Sequence, residues 1–172
     1  LRIYAAISYP STSMGKTTRE TWDYFLKNGP EINYKNRLTV RAVKLYMDGA
    51  LGSRGAAMIE PYSDDKQNRG LTLMSEEEIA KVCTEALAKG FQVCTHAIGD
   101  RGNHIVLNAY EKALKEYEGN SPRFRIEHVQ VLEENDIPRF HQLGIIPSMQ
   151  PTHATSDMYW AKDRLGEVHI RC

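Results

Sequence analysis

Two hydrophobic rhythms take turns along this chain. Residues 2–9 (RIYAAISY) form a short apolar and aromatic run that predicts a buried strand. Residues 17–28 place Trp22, Phe25 and Leu26 at helical spacing, and Gly29-Pro30 ends that helix. Residues 38–47 (LTVRAVKLYM) are rich in β-formers and stop at Asp48-Gly49, which predicts a second strand. Residues 48–74 hold four glycines and one proline with no sustained period, so they read as a long loop. Ser75 and Glu78 form a capping box ahead of Ile79, Val82, Cys83, Ala86 and Leu87, one apolar helical face ended by Gly90. A strand over 91–96, a helix over 102–117, a strand over 124–129, a helix over 133–143 and a strand over 144–149 complete the pattern.

Alternating strands and helices predict parallel βα units with right-handed crossovers. An open doubly wound sheet and a (β/α)8 barrel both satisfy the pattern, but only five strands are predicted where a barrel needs eight. Gly49, Gly52 and Gly55 have the wrong spacing for a dinucleotide fingerprint and precede no helix, so a structural loop is the reading there.

Composition narrows the function classes. The 172 residues carry 22 Lys and Arg against 22 Asp and Glu, which argues against a nucleic-acid or anionic-membrane partner. No apolar run is long enough to cross a bilayer. Cys83, Cys94 and Cys172 make an odd set without CxxC spacing, so reduced thiols in a cytoplasmic protein are expected. Residues 1–9 lack a signal-peptide layout, and a chain that starts directly in a strand is expected to be a piece of a longer one.

Candidate chemistry gathers at the predicted strand ends. Lys44 lies near the end of the second strand, His96 ends the third, His128 ends the fourth, and Gln150 and His153 follow the fifth. Active sites of barrels are built at that C-terminal edge. Imidazoles are good ligands for divalent metals. A lysine near cations can lose its proton and take up carbon dioxide, giving a carbamate that bridges two ions. Taken singly, an interior histidine is more often a hydrogen-bonding residue than a ligand, and a lone lysine more often snorkels. Asp100 and Arg101 could pair or cap the following helix, His104 and His141 fall on helices as surface or packing residues, and His169 sits in a tail without a predicted element.

Four runs carry a resemblance: Val43 to Arg54 (VKLYMDGALGSR), Thr95 to Arg101 (THAIGDR), Arg125 to Gln130 (RIEHVQ) and Ser148 to His153 (SMQPTH). In this order they resemble the amidohydrolase superfamily, and within it amidohydrolase family 3, the YtcJ-like metal-dependent hydrolases. The resemblance implies a TIM (β/α)8 barrel with one or two divalent metal ions, zinc foremost, and hydrolysis of amide or formamide C–N bonds in a small-molecule substrate. It implies Lys44 as the carboxylated bridging lysine and His96 and His128 as histidine ligands. Asp100 is then a residue orienting a ligand or the loop, and Arg54, Gln150 and His153 are candidates for substrate contact.

Two features of that family are missing. No His precedes His96, so the His-x-His motif of the first barrel strand is absent, and no Asp after Met149 sits in strand-like sequence. Asp157 and Asp163 fall in polar, loop-like sequence. The expectation is one incomplete α/β segment over residues 1–172, a partial TIM barrel of about strands three to seven. Its inner face is expected to be apolar, and its open edges to self-associate. A catalytically inactive metal-binding or interaction fragment is the alternative, with a flavodoxin-like sheet binding a phosphorylated ligand behind it.

Overall fold

A computed structural model describes residues 1–10 and 15–166, so His169 and Cys172 lie outside the described residues. The elements are β1 (Ile3–Ser8), α1 (Lys16–Asn28), β2 (Glu31–Tyr34), β3 (Leu38–Tyr46), α2 (Glu76–Ala88), β4 (Gln92–Ala97), α3 (Asp100–Lys115), β5 (Arg125–His128), α4 (Ile137–Gln142), β6 (Ile146–Ser148), α5 (Thr152–Ser156) and α6 (Ala161–Leu165). Each predicted strand and helix is present within a few residues of its expected ends. A short 3-10 turn, Glu134–Asp136, leads into α4, and Pro138 occupies the first turn of that helix, where its missing N–H costs nothing.

The six-stranded sheet runs β1-β3-β4-β5-β6, and these five pair in parallel. The exception is β2, which pairs antiparallel with β3 through Glu31↔Val40 and Tyr34↔Leu38. The sequence did not reveal this strand because all four of its residues are exposed, so it has no buried face to mark it. Its place follows from β3's second edge. The β4 strand joins that edge only from Ala42 onward, which leaves Leu38 to Val40 open to β2.

Along β3 the side chains alternate between the two faces of the sheet. Val43, Leu45 and the following Met47 are buried in one core with Ile79, Val82 and Leu87 of α2, Val106 and Tyr110 of α3, Trp22 of α1 and Phe140 of α4. All four of these helices therefore share one core with a single face of the sheet. A doubly wound sheet would divide them between two faces. The arrangement is an arc of a TIM-barrel-like fold. The opposite, inner face is a correction to expectation: it carries Lys44, Cys94, His96, Arg125 and Glu127, which line up through Lys44↔Cys94↔Arg125 and His96↔Glu127. Charged and polar groups, not an apolar lining, occupy the inside of the arc.

The 48–74 loop is packed. Leu51, Ala56, Met58 and Tyr62 form a second cluster with Ile98 and Val131, and Trp160 and Leu165 close over it. Where loop-like sequence was expected after Gln150, α5 and α6 fold back onto that loop, with Ser63 N–H donating to the Arg164 carbonyl. Among the described residues, no helix is long and apolar enough to cross a membrane.

Candidate metal centre

His96 and His128 meet at the C-terminal ends of adjacent strands. Their ring centroids are 4.5 Å apart, edge to face. His96 reaches this position by ordinary alternation on β4. His128 does not. Ile126 faces the core and Glu127 the inner face, so a continuing strand would aim His128 back at the helices. Instead His128 and Val129 adopt φ of 80° and 48°, and the break turns the imidazole toward His96 while Val129 enters the core. Left-handed backbone at a histidine is uncommon and at a β-branched residue rarer still. Strain of this kind gathers at functional sites.

Hydrogen bonding distinguishes the two nitrogens of each ring. His128 Nδ1 lies 2.9 Å from Gln150 Oε1. An Nδ1–H donor there leaves the lone pair on Nε2. On His96 it is Nε2 that has oxygen neighbours, Asp48 Oδ1 at 3.3 Å and the Gly49 carbonyl at 3.4 Å. Burial holds the His128 pKa below its ordinary value against the raising effect of the Gln150 bond, and the charges of His96, Lys44 and His153 add to the depression. A neutral imidazole is the form that ligates metals.

Lys44 sits on the inner face, its Nζ 4.9 Å from the centre of the Tyr46 ring, and that ring is 5.9 Å from His96. Burial lowers its pKa; Glu127 and Cys94 oppose the shift and Arg125 reinforces it. Burial also raises the neighbouring Cys94 thiol to about 11, so it remains protonated at neutral pH. The donor set fits a divalent cation in part: two imidazoles and an amine whose pKa burial lowers. Among the described residues, no three His, Cys, Asp or Glu side chains are gathered to hold a metal ion.

The other candidates divide. Gln150 bonds to His128, and the His153 ring lies 6.0 Å from it. Arg54 makes a two-pronged pair with Asp64, at 2.9 Å for both bonds, inside the 48–74 loop. Asp100 is buried and accepts the amides of Ile59 and Arg101 at 2.8 and 2.7 Å, which pins the loop to the start of α3. His104 pairs with Asp136 at 3.0 Å on the outer surface. Asp48 is a site residue that sequence reasoning passed over as the end of a strand. Its signal was an acidic residue two positions past the end of β3, the strand that carries Lys44, but only the fold shows what it touches.

The amidohydrolase family model matches residues 14–171. The putative amidohydrolase YtcJ of Bacillus subtilis (strain 168) is 36% identical over 153 residues, 88% of this chain and 27% of that protein. The protein LONG AFTER FAR-RED 3 of Arabidopsis thaliana is 39% identical over 129 residues, 75% of this chain and 22% of its own length. Crystal structures of uncharacterized metal-dependent hydrolases from Pyrococcus horikoshii OT3 and Pyrococcus furiosus superpose with TM-scores of 0.81 and 0.82 at 29% and 31% identity. Each covers 98% of this chain, which corresponds to 31% and 32% of theirs. The chain thus spans about a quarter of the length of the curated relatives it matches.

Proposed function

The chain belongs to the amidohydrolase family, and from that premise we propose that it is a single barrel segment, about strands three to seven, of a metal-dependent hydrolase acting on amide or formamide C–N bonds. The observation that carries this reading is the edge-to-face pair of His96 and His128 at adjacent strand ends, each ring with one nitrogen beside an oxygen and the other without a hydrogen bond among the described residues. His96, His128 and a carboxylated Lys44 would hold a divalent cation, zinc foremost, as one ion or two. Bound there, the cation would polarise the scissile carbonyl and lower the pKa of a water molecule.

The chain's own residues prepare that site. Burial lowers the Lys44 pKa, because desolvation disfavours the ammonium, and this favours carbamate formation over that at an exposed lysine. Gln150 orients His128. Gln150 and His153 stand beside that ring to meet a small-molecule substrate, with Arg54 contributing from the loop once its pairing with Asp64 is exchanged.

A second reading has its own observation. Among the described residues no three His, Cys, Asp or Glu side chains are arranged to hold a metal ion, which favours a metal-binding or interaction segment without turnover. Cobalt or zinc titration of the chain and of His96→Ala and His128→Ala, paired with hydrolysis of simple N-formyl and N-acyl compounds, separates the readings. Weaker metal binding in both variants with metal-dependent turnover supports the hydrolase, and weaker binding without turnover the second reading. Unchanged affinity in both variants ends the metal assignment.

A further inference from the structure

Asp48 is 2% exposed, and the chemistry proposed above does not use it. Its Oδ2 accepts the amides of Ala57 at 3.0 Å and Gly99 at 2.9 Å, and its Oδ1 accepts that of Ile98 at 3.0 Å. One carboxylate thereby joins the 48–74 loop to the β4–α3 turn. Gly102 closes its other side, since a Cβ there would stand 2.6 Å from Oδ2. The same Oδ1 lies 3.3 Å from His96 Nε2, within ion-pair distance, and the hydrogen-bond partner of that nitrogen is the Gly49 carbonyl at 3.4 Å. Both neighbours are acceptors, so in the neutral ring the proton belongs on Nε2 and the lone pair on Nδ1.

We propose that Asp48 is a positioning residue: it sets the tautomer and orientation of the His96 ring and ties both to docking of the 48–74 loop. Its effect on metal binding rests on the reading above; its effect on the ring does not. A carboxylate on the far nitrogen of a ligating imidazole fixes which nitrogen is offered and raises its basicity. Here that carboxylate is held by three backbone amides, two from the β4–α3 turn and one from the loop, so ring and loop are set by one group.

The test is the imidazole ¹⁵N spectrum of the metal-free chain. His96 is expected as a single Nε2–H form, while exposed His141 averages between tautomers. In Asp48→Asn, with the amide oxygen in the place of Oδ2, Ala57 and Gly99 keep their acceptor, while the amide N–H takes the place of Oδ1 and faces both His96 and the Ile98 amide. The ring is then expected to move toward Nδ1–H, with cobalt affinity down by about 10- to 100-fold. Gly102→Ala, which presses on the carboxylate without changing its charge, is expected to shift the same His96 signals. An Nδ1–H or averaged His96 in the unaltered chain overturns the proposal, and needs no variant to fold. So does an Asp48→Asn chain that loses amide protection at Ala57, Ile98 and Gly99 with His96 signals unchanged, since that is a loop anchor alone. Unchanged cobalt affinity in His96→Ala would instead end the metal reading and leave the tautomer result standing.

Discussion

At the residue scale, the backbone at His128 carries a cost that its side chain exploits. With φ at 80°, any residue bearing a Cβ is strained there by roughly 1–2 kcal/mol, and glycine is not. His128→Gly is therefore expected to be more stable than His128→Ala by about 1 kcal/mol in urea unfolding, although both lose the Gln150 contact. Equal stability would mean that the left-handed turn is not held in solution. A second residue-scale expectation concerns Tyr110, wholly buried, whose hydroxyl lies 2.7 Å from Thr95 Oγ1 and 2.9 Å from the Arg125 carbonyl. Tyr110→Phe leaves both oxygens short of a partner and is expected to cost about 1–3 kcal/mol, measured by the same unfolding curves.

At the element scale, α2 and the 48–74 loop are stabilised in different ways. The helix begins with a complete capping box: Ser75 Oγ accepts the Glu78 amide at 3.2 Å and Glu78 Oε2 accepts the Ser75 amide at 2.8 Å. Ser75→Ala is expected to lower stability by about 1 kcal/mol, read from the urea midpoint at constant slope. The loop depends on Tyr62, whose hydroxyl donates to the Ala56 carbonyl at 2.8 Å. Burial pushes the Tyr62 phenol from 10.0 up to about 12. A raised acid pKa contributes stability that is complete below the unfolded value and is lost as pH climbs through the folded one. Loop docking should thus weaken as pH rises from 10 toward 12, seen as tyrosinate absorbance together with new protease cleavage within 48–74. Cleavage that does not change with pH would refute it.

At the scale of the whole molecule, the sheet is an arc with two outer strands. Among the described residues, β1 is paired only to β3 and β6 only to β5, so within them each has one unpaired edge. Ile3 and Tyr4 of β1 are 50% and 52% exposed, as apolar surface awaiting a partner. The chain by itself is expected to self-associate through these edges, and sedimentation velocity at two concentrations checks this. A monomer at both would show that the edges are protected.

Local rhythm determined the elements that have one buried face: α2, α3, β3 and β4 were legible because their apolar spacing matches a helix or strand packed on one side. Ordered motifs likewise marked Lys44, His96, His128 and Gln150 as candidates, since βα repeats deliver strand ends to a common edge whatever the intervening sequence. What lay beyond the sequence were features decided by contacts between distant segments. β2 has no buried face and exists because β3 had an open edge. The inner face is polar because strand alternation puts Lys44, His96 and Glu127 on one side, and period alone does not say which side meets the helices. The turn of His128 toward His96 is a backbone choice at one residue, invisible to periodicity. Asp48 becomes a hub only when the amides of residues 57, 98 and 99 are brought to it, which takes a fold spanning fifty residues of chain.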